Sequence, residues 1–345
     1  MKIKDIRKRL TLEEANLVDQ YRAIKNESEN VGINPEDVKH GWMKTENSSL
    51  FFTNPAYKDE NRKQFDLLKS ELINEFKDVS PSYPKIKREK SKDNHLLIID
   101  PADVHIGKLC SSFETGETYN QQIAVQRVKE GVQGILNKVS GYNFDKIMFV
   151  IGNDILHTDT PKRQTTSGTP QDTDGMWYEN FLNGVKLYVD VINTLVQIAD
   201  VHVVYNPSNH DYTNGFFLAQ LIEAHFRLSK NITFDVSISH RKYFTYGKNL
   251  IGTTHGDGAK TNDLPLLMAH EAKDWTNCKH RYIYTHHLHH KVAKDVMSVC
   301  VEALRSPSGT DSWHHRNGYE HAPKAIEGYL HHPEHGQIAR ITHLF

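Results

Sequence analysis

The chain has 345 residues and a formal net charge of −1, so it is long enough for one large or two ordinary domains, and its overall charge selects no particular partner. Three scattered cysteines, Cys110, Cys278 and Cys300, exclude a disulfide framework or a cysteine-built zinc site and fit a reducing, cytoplasmic setting. No apolar stretch approaches the roughly 20 residues needed to span a bilayer, and residues 1–30 hold no signal-peptide core, so no membrane partner is expected. Residues 1–78 read as a polar, mainly helical module. Leu10, Leu17, Tyr21 and Ile24 recur at helical spacing, as do Leu67, Leu68, Leu72, Ile73 and Phe76. Between them Asn34 is placed to cap a helical turn starting at Pro35. A basic cluster, Lys2, Lys4, Arg7, Lys8 and Arg9, reads as a solvated helix start, with phosphate contact as the alternative. Residues 79–93 are rich in Pro and Ser and then basic, the composition of a linker. From residue 94 short apolar runs alternate with amphipathic helices at 121–139, 177–199 and 216–227, the pattern of an α/β domain over 94–345 with a largely parallel core. After residue 291 the pattern is strand-like without clear helices.

Histidine is the outlying residue type, at 22, and its placement carries the information. Five apolar runs each end in Asp, Asn or His. Leu96–Ile99 leads to Asp103 and His105, and Ile147–Ile151 to Asn153 and Asp154. Val201–Tyr205 leads to Asn209, His210 and Asp211, Leu250–Gly252 to His255, and Tyr282–Tyr284 to His286, His287, His289 and His290. Ligands of α/β sheets bind just beyond the carboxyl ends of the strands, so these groups are expected to meet at one edge of one sheet. Imidazole mixed with carboxylate suits Mn, Fe or Zn. The polar stretch 158–176 directly follows Asp154 and is expected to hang over that edge, where Lys162 and Arg163 could meet phosphate oxygens.

Taken in order, the chain reads Asp-x-His, Gly-Asn-Asp-x-x-His, Ser-Asn-His-Asp, His-Gly-Asp and His-x-His. This series, over roughly residues 95–305, resembles the calcineurin-like metallophosphoesterase superfamily. The resemblance implies a layered α/β/β/α sandwich and two divalent transition-metal ions, Mn first with Fe or Zn as alternatives. It implies that Asp103, His105 and His289 hold one ion, that Asn209, His255 and His287 hold the other, and that Asp154 bridges them. His210 would stabilise the transition state or protonate the leaving group, Asp211 would orient His210, and His157 would share in the active site. Ser208 and His286 stand where the family has glycine, and Asn153 is inserted before the bridging position. Asp154 is preferred to the neutral Asn153 as the bridge, and Asp103 to Asp100 because only Asp103 has a histidine two residues on.

The implied activity is phosphoester hydrolysis by a metal-activated water. Two contexts, Asp103–Lys108 and Asn153–His157, look like motifs of the nuclease subunit of double-strand-break repair complexes, which makes a phosphodiesterase acting on DNA or RNA the first reading. A phosphoesterase for nucleotides or cyclic nucleotides is the second, and a nucleic-acid- or protein-binding module with vestigial activity the third. The oligomeric state is left open, with a homo-oligomer among the choices.

Overall fold

The computed structural model describes residues 11–44, 49–54, 57, 83–88, 93–319 and 322–345. The chain divides into two compact units, Met1–Ser80 and Pro81–Phe345. In the smaller unit α1 (Leu12–Asn30) is followed by a single 3₁₀ turn at Pro35–Asp37. Asn34 does cap that turn, its side chain accepting from the Glu36 N–H. Beside the helix the described part also holds a hairpin that the helical reading did not include, β1 (His40–Lys44) and β2 (Ser49–Thr53), paired antiparallel. Its aromatic residues explain the difference: Trp42 and Phe51 face each other across the pair with ring centroids 5.2 Å apart, the kind of cross-strand contact that favours a sheet over a helix. Leu10, the run from Leu67 to Phe76 and the basic cluster at 2–9 lie outside the described residues.

In the larger unit the elements run β3 (Asn94–Asp100), α2 (Ser112–Thr115), α3 (Gln121–Lys138), β4 (Asn143–Gly152), α4 (Trp177–Ile198), β5 (Asp200–Asn206), α5 (Tyr212–Phe226) and β6 (Ile232–Asp235). They continue as β7 (Arg241–Tyr246), β8 (Asn249–Thr254), α6 (Leu264–Glu271), β9 (His280–Thr285), β10 (Val292–Val296), β11 (Val299–Ala303), α7 (Ser312–Arg316), β12 (Ala325–His332) and β13 (Gly336–Leu344). The short α7 falls in the stretch whose pattern showed no helix. A helix of five residues has too few turns to display a period.

The strands form two sheets. One has the order β13-β12-β3-β4-β5-β6, with β3 to β6 parallel; the other has the order β10-β11-β9-β8-β7, with β8, β9 and β11 parallel. Because side chains alternate along a strand, each central run serves two layers. Leu97, Ile99, Ile147, Phe149, Val201 and Val203 pack with α3, α4 and α5 through residues such as Val128, Ile135, Ile192 and Leu218. Leu96, Ile98, Met148, Val150 and Val204 face the other way and meet Ile251 and Tyr284 of the second sheet and Leu304 just beyond β11. Leu264 and Met268 of α6 cover that sheet's outer face against Leu250, Ile283 and Val301. The result is a helix/sheet/sheet/helix sandwich. This is the layering that the resemblance implies; only the placing of all the ligands at the edge of one sheet is corrected, since β3, β4 and β5 belong to one sheet and β8 and β9 to the other, and the ligand-bearing ends meet across a sheet–sheet boundary.

Residues 83–88, within the stretch that reads as a linker, are tied to the larger unit. The Tyr83 ring packs on Phe226, and the Ile86 N–H donates to Asn231 Oδ1 at 2.8 Å. Arg88 donates to Asp200 and to the carbonyls of Val196 and Ile198. These carbonyls close α4, where backbone acceptors have no partner within the helix and a cation is favoured. Arg88→Ala is therefore expected to lower the unfolding free energy by about 1.5–3 kcal/mol, the range for hydrogen bonds to a charged group. The readout is the urea midpoint at unchanged slope. A change within about 0.5 kcal/mol would show that the segment merely rests on the surface.

Candidate metal centre

The backbone at the strand ends is unusual. Among the described residues nine non-glycine residues have positive φ, and six of them are Asp103, His105, Asn153, Asp154, His287 and His289. Left-handed backbone is disfavoured for L-residues and least so for Asn and Asp. Here it is held by hydrogen bonds between neighbouring loops. The N–H groups of Asp103 and His105 donate to the carbonyls of Asn153 and Asp154, both at 2.9 Å. The Asn153 N–H donates to Asn206 O at 3.1 Å, and His286 N–H to His255 O at 2.8 Å. Such strain clusters where side chains have to be aimed.

What it aims is a set of donor atoms. Asp103, His105 and His289 converge in one group, and Asp154, His255 and His287 in another. His105 Nε2 lies 3.2 Å from His289 Nε2, and His289 Nε2 lies 3.4 Å from Asp103 Oδ1. Asp154 Oδ2 stands between the groups, 3.9 Å from His105 Nε2 and 3.3 Å from His255 Nε2, and Asn209 Oδ1 is 2.9 Å from His255 Nε2. Donor atoms bound to one ion at about 2.0–2.2 Å sit about 3.0–3.6 Å apart. The residues present thus fit a divalent transition metal in each group, and Asp154, a member of the second, comes within 3.9 Å of His105 in the first. Asp103 also accepts from the His287 N–H with both oxygens at 3.1 Å, tying the two groups' loops together.

Electrostatics agree with a cation site. Burial alone would raise the Asp154 carboxyl, but the His255 imidazole and the bonds from His255 and the His210 N–H hold it well below the usual carboxylate range. Asp103 is also lowered: burial opposes this, and His289 outweighs it. Burial keeps His105 well below the usual imidazole value and brings His289 to about 4, leaving neutral nitrogens with free lone pairs. His255 behaves differently, since Asp154 overcomes its burial and lifts it to about 9.

The remaining predicted residues fall into place unevenly. His210 lines the cleft; its N–H donates to Asp154 Oδ1 at 3.0 Å, and its Nδ1 lies 3.0 Å from the His157 carbonyl. Asp211 is not on the His210 ring. Its carboxylate instead accepts from the Leu156 N–H at 2.9 Å and from Ser208 Oγ at 2.7 Å, and its burial beside Asp154 raises its pKa to about 8. The His157 carbonyl, not Asp211, orients His210. The His157 ring stands behind His105, Nδ1 to Nδ1 at 3.3 Å, where it can fix the His105 tautomer. Ser208 supports the bridging residue directly, its Oγ accepting the Asp154 N–H at 2.7 Å. Asp100 is occupied by His286, whose Nε2 lies 3.0 Å from both of its oxygens, so neither joins the donor groups.

The site opens into a cleft of about 1000 Å³. One wall is the polar stretch at Thr165, Ser167 and Thr169–Asp172; the other comes from Gly309–His314, Gly318, Tyr319 and Lys324. Lys162 and Arg163 do not line it. They sit exposed on a turn that closes through the Arg163 N–H to Thr160 O. The cations at the cleft are two others, which the linear pattern did not single out. Lys108 is buried with Nζ 2.8 Å from Asp311 Oδ2, and Lys324 Nζ donates to Thr310 Oγ1 at 3.1 Å. Asp311 also accepts from His314 Nδ1 at 2.7 Å, and the His314 ring stacks on His289 at 5.1 Å. Lys108 stands within the Asp103–Lys108 motif and could have been singled out there; Asp311 and Lys324 carry no local signal.

Gly152 precedes the Asn153–Asp154 pair at φ 90°, and a Cβ on it would run into the Asn206 carbonyl. Gly152→Ala is expected to destabilise the protein by more than about 1 kcal/mol and to weaken metal binding together with stability. Unchanged melting temperature and metal content would show that the turn relaxes without cost.

No protein-family model matches the sequence, and no curated protein matches it. Among solved structures the chain is similar to an archaeal phosphodiesterase, at 10% identity over 72% of this chain and 99% of that one with a TM-score of 0.35. It is similar to a conserved uncharacterized protein of Streptococcus pneumoniae TIGR4 described as a predicted phosphoesterase, at 12% identity over 74% and 100% with a TM-score of 0.30. It is also similar to Vps29 of Entamoeba histolytica complexed with zinc, at 11% identity over 72% and 98% with a TM-score of 0.30. Identities and TM-scores this low leave the chemistry to be read from the chain's own residues.

Proposed function

We propose that this chain is a phosphoester hydrolase that works with two divalent transition-metal ions, Mn first, and that its substrate is a phosphodiester of DNA or RNA. The observation that supports this most directly is the pair of donor groups on either side of Asp154. Two ions in such a site supply Lewis-acid polarisation of a phosphoryl oxygen and an activated water. The chain's own residues would hold and orient the rest. With Nδ1 engaged by the His157 carbonyl, His210 keeps Nε2 for the substrate, and a ring carrying both protons could pass one to a departing alkoxide. Lys324 would place positive charge on the cleft wall beside the phosphate, while Lys108 is held behind it in its ion pair with Asp311. A second reading, a small nucleotide ester, is favoured by the cleft volume of about 1000 Å³, which matches a small-molecule pocket.

Protein purified without chelator is expected to carry up to about two equivalents of divalent transition metal, and Asp154→Ala and His255→Ala are each expected to lower that content. If both variants keep the wild-type content, the ligand assignment is wrong. With Mn²⁺, wild-type protein should cleave labelled single- or double-stranded DNA or RNA, and Asp154→Ala should not. Turnover of a nucleotide or cyclic nucleotide with no cleavage of any polymer would select the second reading.

His210→Ala is expected to retain metal and lose about 10²–10⁴ in turnover, the usual contribution of a positioned proton donor. An active variant depleted of metal would make His210 a ligand, in line with the third convergent group of His105, His157 and His210.

A further inference from the structure

One part of the cleft is neither metal-binding nor cationic. Trp313 and Tyr319 both line it, yet they are 61% and 62% exposed. Their rings face each other at 5.8 Å with an interplanar angle of 32°. Single exposed aromatics are ordinary on a protein surface. These two are set apart by their anchoring. Trp313 belongs to α7, whose N-cap Asp311 also pairs with the buried Lys108 of the metal loop. The Tyr319 N–H donates to His314 O at 2.9 Å, and Asn317 Nδ2 to Trp313 O at 2.7 Å, so both aromatic residues sit on a hydrogen-bonded backbone. The Trp313 ring meets His314 edge-on at 5.1 Å, and His314 stacks on His289. Two ring contacts therefore separate the indole from a donor nitrogen of the metal centre.

A cleft with carboxylates, imidazoles and lysines at one end and exposed aromatic faces close by suits a ligand that joins a phosphate to a flat ring. Resting on the phosphoesterase reading above, we propose that Trp313 and Tyr319 form a base-stacking subsite, and that the ester hydrolysed is attached to a nucleoside whose base is unpaired. Stacking on an aromatic side chain needs a free base face. A base inside a duplex has both faces covered, so the subsite accepts single strands, frayed ends or nucleotides.

The test reads binding and turnover separately. Thymidine 5′-phosphate is expected to quench tryptophan emission of the wild type and to leave Trp313→Phe unquenched, although Trp42, Trp177 and Trp275 remain. A single-stranded oligothymidine should quench likewise, and a duplex of equal length much less. For turnover, thymidine 5′-(p-nitrophenyl phosphate) and methyl p-nitrophenyl phosphate share a leaving group and differ by the nucleoside. Trp313→Ala should lower the ratio of their kcat/KM values by roughly 5- to 150-fold, the equivalent of about 1–3 kcal/mol per stacked base, while Trp313→Phe should keep it. A ratio unmoved by Trp313→Ala, no quenching in the wild type, or quenching that survives in Trp313→Phe would each overturn the subsite. Quenching with neither ester cleaved in Mn²⁺ would leave the subsite standing and remove the hydrolase reading instead.

Discussion

The ties around Asp154 are what the rest of the site hangs from. Its backbone sits in the left-handed region at φ 61°, and every polar group it has is engaged, by partners on three other loops. The N–H goes to Ser208 Oγ, the carbonyl takes the His105 N–H, one carboxylate oxygen takes the His210 N–H, and the other faces the His255 ring. Those partners lie beyond β3, β5 and β8, so one residue of the β4 loop sets the relative height of three other loops. Because Asp154 is buried, each of these bonds acts in a low-dielectric setting where loss of a partner leaves a costly orphan.

This explains why the conformational strain is concentrated where it is. Six residues in or around the donor groups adopt left-handed backbone, each at a cost of order 1–3 kcal/mol that only an over-determined surrounding can sustain. The surrounding here is the meeting of two sheets. Leu96, Ile98, Met148 and Val150 press against Ile251, Tyr284 and Leu304, holding the ends of β3 and β4 at fixed distance from those of β8 and β9. The sheet interface thus supplies the rigidity, and the loop hydrogen bonds turn it into donor atoms 3.2–3.4 Å apart.

The cleft outside the donor atoms is organised by Asp311. It caps α7, neutralises Lys108 and holds His314 against His289. A single carboxylate, kept ionised against its burial by His314 and Lys108, therefore couples the segment carrying Trp313 to the loop carrying His105. The donor-atom end and the aromatic end of the cleft share one support.

Much of this was legible in the linear chain. The five apolar runs are buried strands, and the helices at 121–138 and 177–198 follow from amphipathic spacing within a residue, because both periods are local properties of the chain. The identity of the convergent residues was readable for a related reason: Asp103, His105, Asp154, Asn209, His255, His287 and His289 each stand shortly after a strand, and strand ends that face one way must bring them near each other. The tertiary structure decided what no local pattern encodes. It divided the strands between two sheets, because the apolar faces left uncovered by α3, α4 and α5 needed a second layer. It turned Asp211 toward Ser208 and Leu156 and away from His210, and it moved the cleft's cations from Lys162 and Arg163 to Lys108 and Lys324. Which hydrogen-bond partner a polar side chain finds depends on chain segments far away in sequence, as Lys108 and Asp311 are, and composition and spacing carry no record of that meeting.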